Sequence, residues 1–337
     1  MKTADENGVD VSIVTVCTNK VDVLFPCLQS IIQRTREVSY EILVVLHQVS
    51  ADKIEQVRNA FPAAIIIESN DQIRGFAENN NLAFRRAKGK YCFVVNDDTV
   101  MEMPVIDLLF ASFRREPRAT IFSPAILNMD GSIQHCGGRP HTMLNWLLFE
   151  FKLRNRLCPA SPYENQNGIF ITREIMSAAF MIPTQVFREL GFFDERYFFG
   201  PEDAALADAV QRRGGACYVN ADVKILHKGS TTLAQHSLGI VIAMQRGQTI
   251  FLSRGKIWRW LVYSMAMFVL DGGKAFYWAL KRTPDHAFRS RLWLKAMGKA
   301  FTLRTTKDLF LQYYRPAKVE AVSGTANNAN GGRKIWS

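Results

Sequence analysis

The stretch Tyr91–Thr99, with the sequence YCFVVNDDT, joins an apolar strand to a turn that carries two adjacent carboxylates. Three similar apolar runs precede it, at residues 11–17, 41–46 and 64–68, and helical patterns separate all four runs. Strands with nearly continuous apolar character are typical of parallel sheets that helices cover on both faces. The sequence therefore predicts an α/β domain of the nucleotide-binding type, with ligands beyond the carboxyl ends of its strands.

The rest of the chain divides into regions of different character. Residues 129–168 have little periodicity and many glycines and prolines, which predicts a long loop region with a short helix near 143–153. A strand near 175–182, a helix at 201–213 and strands near 216–226 are predicted to follow. We expect three parts, a domain with a mostly parallel central sheet, a helical and basic extension, and a disordered tail, over residues 1–240, 241–320 and 321–337.

Length, composition and cysteine usage exclude several classes of protein. With 337 residues, 48% of them hydrophobic and 22% charged, the chain can form a sizeable core, so bulk disorder and fibrous scaffolds are excluded. The six cysteines form no CxxC pair, which argues against a structural zinc site or a disulfide framework and favours a reducing compartment. The first ten residues are polar, and we expect no secretory signal there.

The net charge of +11 is concentrated at the end of the chain. Residues 246–337 contain 17 Lys and Arg against 4 Asp and Glu, which leaves 25 basic and 27 acidic residues elsewhere. Residues 257–280 are rich in aromatic residues, and their longest uncharged run, of 11 residues, is too short to span a bilayer. This combination predicts helices on an anionic membrane surface, with packing on the preceding domain as the alternative. No nucleic-acid partner is expected, because no recognised motif accompanies the charge.

Two acidic motifs could carry chemistry, and each also has a purely structural explanation. The turn Asn96-Asp97-Asp98-Thr99 offers the hard oxygen ligands that Mg²⁺ or Mn²⁺ takes alongside substrate phosphates, although Asn and Asp are also ordinary turn residues. Glu202-Asp203 follows a proline at a predicted helix start, where the helix dipole stabilises acidic side chains. The same position suits a general base that takes a proton from a hydroxyl group.

Two further residues are candidates because of where they lie in the chain. His227 follows an apolar run, and although such a histidine is more often structural, it could converge with both acidic motifs on one phosphate-bound cation. Arg74 precedes a helix that carries Asn80, whose N-terminus could meet a diphosphate. The chain has no GxGxxG, P-loop or GxSxG pattern, so acyl transfer by a nucleophilic serine is unsupported.

Together these segments resemble the family 2 glycosyltransferases of the GT-A fold, particularly the bacterial rhamnosyl- and galactofuranosyltransferase-like members. The resemblance covers residues 11–232, about two thirds of the chain, and its elements occur in the family's order. These elements are Ser12–Asn19, Gly75-Phe76-Ala77 with Asn80, Asn96–Thr99, Gly191–Glu195 followed by Glu202-Asp203, and His227.

The resemblance implies a role for each matching residue. Asp203 corresponds to the catalytic base and Glu202 to its acidic neighbour, while Asp98 and His227 correspond to ligands of a divalent metal, Mg²⁺ or Mn²⁺. The residues expected on the donor side are Thr15, Cys17, Asn19, Arg74, Asn80, Asn96 and Asp97.

Two departures from the family pattern affect this interpretation. The family usually has an Asp after the second strand that contacts the base or ribose, and here the position is Leu46 in the run Val44–Gln48. The second Asp of the family's EDxDL pattern is Ala205. These losses leave open a catalytically silent nucleotide-sugar or polysaccharide-binding protein as the alternative function.

The resemblance also implies a reaction, the inverting transfer of a sugar from a UDP- or dTDP-linked donor. Together with the basic, aromatic C-terminal quarter, it favours a lipid-linked saccharide acceptor and a cytoplasmic protein that is peripheral on the inner face of the cell membrane. The expected process is synthesis of O-antigen, capsule or a related cell-wall polysaccharide. A soluble or protein acceptor is the alternative within the same class of enzyme.

Overall fold

The computed structural model describes residues 8–151, 153, 157, 161–229, 237–281 and 283–314. The tail expected to be disordered, 321–337, lies outside the described residues, and so does most of the N-terminal segment in which no secretory signal is expected. The five cysteines that are described are all buried and carry free thiols.

The described elements alternate between strands and helices through the first two thirds of the chain and are helical thereafter. The strands are β1 (Val11–Thr18), β2 (Tyr40–His47), β3 (Ile65–Ser69), β4 (Tyr91–Val95), β5 (Thr99–Val100), β6 (Ala119–Leu127), β7 (Ile133–His135), β8 (Ile169–Thr172), β9 (Ala179–Pro183) and β10 (Ala216–His227). The helices are α1 (Val21–Arg34), α2 (Ala51–Ala60), α3 (Phe76–Phe84), α4 (Val105–Arg115), α5 (Met143–Glu150), α6 (Thr184–Glu189), α7 (Glu202–Arg212), α8 (Ser237–Ser253), α9 (Ile257–Leu280), α10 (His286–Met297) and α11 (Thr306–Tyr313).

All the described strands join one sheet, in the order β3-β2-β1-β4-β9-β6-β10-β5, with β7 on β6 and β8 on β10. The four strands β3, β2, β1 and β4 are mutually parallel, and β10 is parallel to β6. Strand β9 is antiparallel to both β4 and β6, so it begins at the edge where those two strands end. The predicted α/β class is thus confirmed, and the edge formed by the ends of β1, β4 and β10 also receives the start of β9.

The core lies on both faces of the sheet because each inner strand is apolar on both sides. One layer is formed by α1, α2 and α4, with Leu28, Val57 and Leu109 fully buried. The other layer is formed by α3, α6 and α7, where the rings of Phe84 and Phe187 meet edge to face at 4.8 Å. Each such aromatic side chain stabilises the fold by about 1.5–3 kcal/mol through burial.

The C-terminal helices pack against the end of the sheet domain. A Cβ atom at Gly247 of α8 would lie 2.4 Å from the carbonyl oxygen of Gly200, so only glycine permits this approach of the two backbones. Nearby, Phe198 stacks at 4.6 Å on Phe310 of α11. Helix α8 therefore abuts the turn that leads into α7. Within the described ranges, none of the helices combines the length and the apolar character needed to cross a bilayer.

Candidate active site

The turn after β4 and the end of β10 bring a carboxylate and an imidazole together. Short strand β5 pairs antiparallel with β10, and this register sets Thr99 opposite His227. As a result, Oδ1 of Asp98 lies 3.1 Å from Nε2 of His227, with both side chains buried. The amide nitrogen of Asn96 is 3.3 Å from the same Nε2 atom.

The tautomer of His227 follows from its second neighbour, Gln134 of β7. Nδ1 of His227 lies 2.6 Å from Oε1 of Gln134, whose amide nitrogen donates to Asn128 at 3.2 Å. Because an amide oxygen can only accept, Nδ1 of His227 carries a proton, while Nε2 faces Oδ1 of Asp98 at 3.1 Å. Carboxylate oxygens and imidazole nitrogens are both common ligands of divalent metal ions, so these two adjacent atoms are candidate ligands of one cation.

The donor set fits a cation that binds together with substrate. In the part of the chain that the structure describes, no three His, Cys, Asp or Glu side chains cluster closely enough to hold a metal by themselves. Asp98 and His227 supply two ligands, and Mg²⁺ is typically held by one or two carboxylates with the remaining positions taken by waters and substrate phosphates. The pair is therefore suited to a divalent cation on a diphosphate.

Asp97 and Cys17 lie on the β1 side of the same turn. Burial and the negative charge of Asp98 raise the pKa of Asp97 to about 7, against a hydrogen bond with Cys17 that lowers it. Burial, with the Asp97 charge beside it, also raises the pKa of the Cys17 thiol. A cation bound at Asp98 would relieve the repulsion between the two neighbouring carboxylates.

The other donor-side residues of β1 lie at and beside its carboxyl end. Thr15 is fully buried, and its hydroxyl has no hydrogen-bond partner among the described atoms. Asn19 follows the strand in the left-handed region, with φ at 61°, and its backbone N–H donates to the carbonyl of His47 at 3.2 Å. Asn19 is exposed and faces solvent at the same sheet edge.

The acidic pair at the start of α7 is held by the segment that precedes β9. The backbone N–H of Ser177 donates to Oδ2 of Asp203 at 3.5 Å, and its hydroxyl donates to Oε1 of Glu202 at 3.3 Å. The next carbonyl, of Ala178, accepts from the backbone N–H of Asn96 at 3.0 Å. One dipeptide thus connects the acidic pair to the turn that carries Asp98.

The two carboxyls of this pair have different surroundings. Burial and the charge of Asp203 raise the pKa of Glu202 to about 8, and Oε2 of Glu202 has no partner among the described atoms. Burial also raises the pKa of Asp203, but its carboxylate accepts from the backbone N–H of Ala204 at 2.7 Å and feels the charge of His141. The pKa of both carboxyls is thus raised by burial, while the backbone N–H groups of Ala204 and Ser177 favour the ionised form of Asp203.

Arg74 and Asn80 are engaged elsewhere in the fold. The guanidinium of Arg74 forms an ion pair with Asp71 and donates to the hydroxyl of Ser69 at 3.1 Å. Asn80 is buried in α3, and its amide donates to the carbonyl of Phe76 at 3.0 Å. Within the described chain, neither side chain is bonded to Asp98 or to the acidic pair, so their roles at the donor stay predictions.

Sequence reasoning missed two residues of the site, Gln134 and His141. Both lie in the region of weak periodicity, where no local pattern distinguishes a functional side chain from a loop residue. Nε2 of His141 lies 2.6 Å from Oε1 of Gln248 on α8. The imidazole therefore links the C-terminal helices to the surroundings of Asp203.

A cavity of about 590 Å³ opens beside His141, between α5 and helices α8, α9 and α10. We call it the interhelical cavity. Its walls include Trp146, Met176, Met244 and Trp293. Met176, in the wall of the cavity, directly precedes the serine that holds Asp203.

Comparisons with known proteins identify a matching family and similar folds. Residues 12–179 match the family model described as glycosyl transferase family 2. The O-antigen biosynthesis protein RfbC of Myxococcus xanthus is 22% identical over 233 residues, which are 66% of this chain and 17% of that protein. The chain thus spans only a small part of the length of that relative.

Two solved structures share the fold. The crystal structure of GalNAc-T7 with UDP, GalNAc and Mn²⁺ superposes with a TM-score of 0.53 at 14% identity, covering 92% of this chain and 59% of that one. The mannosyltransferase PcManGT from Pyrobaculum calidifontis, in complex with GDP-Man and Mn²⁺, superposes with a TM-score of 0.50 at 14% identity, covering 89% and 90%. At this level of identity the likeness concerns the fold.

Proposed function

Starting from the fact that this chain belongs to the family 2 glycosyltransferases of the GT-A fold, we propose that it transfers a sugar from a nucleoside-diphosphate donor, with inversion, to a lipid-linked saccharide. The observation that carries the proposal is the link through Ser177 and Ala178. It holds an ionisable base, Asp203, next to a carboxylate–imidazole pair, Asp98 and His227, suited to a diphosphate-bound cation.

In the proposed mechanism Asp203 takes the proton of an acceptor hydroxyl while that oxygen bonds to the anomeric carbon. The bond from the anomeric carbon to the diphosphate breaks on the opposite face, and the nucleoside diphosphate leaves with the electron pair. Burial raises the pKa of Glu202 to about 8, and with Glu202 neutral, Asp203 would be the anion of the pair and the proton acceptor. A divalent cation on Asp98 and His227 would, when bound, offset the charge that grows on the leaving group.

An assay of nucleotide-sugar hydrolysis distinguishes the proposed glycosyltransferase from a catalytically silent binding protein. With Mn²⁺ and no acceptor, we expect slow hydrolysis of one UDP- or dTDP-linked sugar in a panel, because water can replace the acceptor hydroxyl. Released nucleoside diphosphate is the measurement. Tight binding of a nucleotide sugar without hydrolysis, and without transfer to any added saccharide or lipid-linked acceptor, would favour the silent binding protein.

The outer face of α9 supports a lipid-linked acceptor and a peripheral position on the membrane. Its exposed apolar side chains recur every three or four residues along the first half of the helix, and their stripe continues to its end. The outer face consists of Ile257, Trp258, Leu261, Val262, Met265, Phe268, Val269, Phe276, Tyr277 and Leu280. Exposed lysines flank it at positions 256 and 281. Such a helix suits the interface of an anionic bilayer.

A charge placed in the outer face of α9 is expected to release the protein from membranes. In the double variant Leu261→Glu/Val269→Glu, two anions replace apolar groups that would meet the lipid, so binding to phosphatidylglycerol vesicles should fall by about tenfold or more. Co-sedimentation with the vesicles measures this. Ile65→Glu, at a comparably exposed position on β3, is the control and should sediment like the wild type. Equal sedimentation of all three proteins would contradict membrane docking through α9.

The proposed biological process is the synthesis of O-antigen, capsule or a related cell-wall polysaccharide. It is supported by the similarity to an O-antigen biosynthesis protein and by the surface that suits a lipid-linked acceptor. Mg²⁺ or Mn²⁺ is the proposed cofactor.

A further inference from the structure

We propose that the interhelical cavity binds the hydrocarbon part of the acceptor, an isoprenoid or alkyl chain, so that the attached hydroxyl-bearing head reaches Asp203. This inference rests on the proposed function, since it identifies where the lipid-linked acceptor binds. The cavity volume of about 590 Å³ lies within the range of about 300–1,000 Å³ that is common for ligand sites.

Polar side chains at the border of the cavity are already paired within the protein. His141 is bonded to Gln248, and the ammonium of Lys274 donates to Oε2 of Glu150. The amide of Gln245 donates to Asp271 at 2.8 Å. A saccharide in the cavity would have to replace these bonds to satisfy its own hydroxyl groups, whereas a hydrocarbon chain leaves all of them in place.

Half of the residues that line the cavity are apolar, and several of them are adaptable. Trp146 and Met267 pack together in one buried cluster, and Trp293 lies under the ammonium of Lys274 at 4.4 Å. Met176 and Met244 also line the cavity. Methionine side chains adjust to irregular apolar ligands because they are unbranched and polarisable.

The two ends of the cavity connect a hydrophobic surface to the reacting groups. Phe149 borders the cavity and is 62% exposed, and Leu144 on the same helix is exposed as well. Met244, which also lines the cavity, has its methyl carbon 3.8 Å from where a Cβ atom at Gly200 would lie, three residues before Asp203. We therefore expect the head of a chain that enters past Phe149 to lie near the start of α7.

The test of this assignment is the binding of farnesyl phosphate, which is kept below its critical micelle concentration. Quenching of tryptophan fluorescence measures the binding. The wild type should bind farnesyl phosphate at one site, and Met244→Gln should weaken binding about tenfold, because a polar amide replaces the thioether in the apolar wall. The matched control is Met129→Gln, which makes the same change at a 56% exposed position after β6, outside both the cavity and the outer face of α9. It should bind the probe like the wild type. Thermal unfolding checks that both variants are folded.

The outcomes separate this proposal from the proposed function. Equal affinities for Met244→Gln and Met129→Gln, or no binding by a wild type that hydrolyses its donor, would overturn the cavity assignment and leave the glycosyltransferase mechanism standing. Binding of maltose with the same dependence on Met244 would also overturn it, since the cavity would then be a saccharide site. Binding of farnesyl phosphate by a protein that neither hydrolyses nor transfers any donor sugar would support the cavity assignment and contradict the proposed mechanism.

Discussion

Replacing Asp203 by Asn is expected to lower the rate of sugar transfer by about 10²–10⁴-fold while the affinity for the donor stays close to that of the wild type. The amide oxygen can still accept the backbone N–H of Ala204, the shorter of the two bonds that hold the native carboxylate, while the 3.5 Å bond from Ser177 loses its acceptor. The amide cannot, however, take the proton of the acceptor hydroxyl. Steady-state kinetics gives kcat, and titration with the nucleoside diphosphate gives the affinity.

Asp208→Asn is the matched control for this prediction. It makes the same change on α7, at a carboxylate that pairs with the surface residues Arg212 and Arg254. Exposed ion pairs contribute little to stability, so this variant should keep both kcat and the donor affinity. Normal turnover in Asp203→Asn would reject Asp203 as the base, and an equal loss in both variants would point to damage to α7 instead.

Asp98→Asn should reduce transfer at a fixed Mn²⁺ concentration on the order of 10²-fold and weaken Mn²⁺ binding in the presence of the nucleoside diphosphate. The cause is the loss of a charged oxygen opposite Nε2 of His227, which leaves the imidazole as the only strong protein ligand of the pair. Part of the rate should return at higher Mn²⁺ concentration. Calorimetric titration of Mn²⁺ and the rate at several metal concentrations measure the two effects.

A carboxylate outside the pair provides the control. Glu102→Gln removes an exposed carboxylate four residues along the chain and should change neither Mn²⁺ binding nor the rate. Chelation by EDTA should lower the rate of the wild type and of Glu102→Gln alike. If EDTA leaves the wild-type rate unchanged and Asp98→Asn turns over normally, the proposed metal dependence is wrong.

Much of the α/β domain could be predicted because its signals are local. The apolar runs of β1, β2, β3 and β4 coincide within one residue with the predicted strands, and α7 begins within one residue of its predicted start. The family and the fold class inferred from the ordered motifs are confirmed. The position of β9 between β4 and β6, antiparallel to both, was not predicted. The apolar pattern of a strand carries no information on its neighbours or its direction.

The sequence by itself determined which strands and helices form and which acidic and imidazole side chains stand at element ends, because periodicity and turn chemistry act between near neighbours. Tertiary structure alone decided the partners of those side chains. Gln134 is 93 residues from His227, and His141 is 107 residues from Gln248. Such contacts exist only once the sheet has set the strand ends side by side and α8 has docked on it, since no local pattern specifies a partner so distant along the chain.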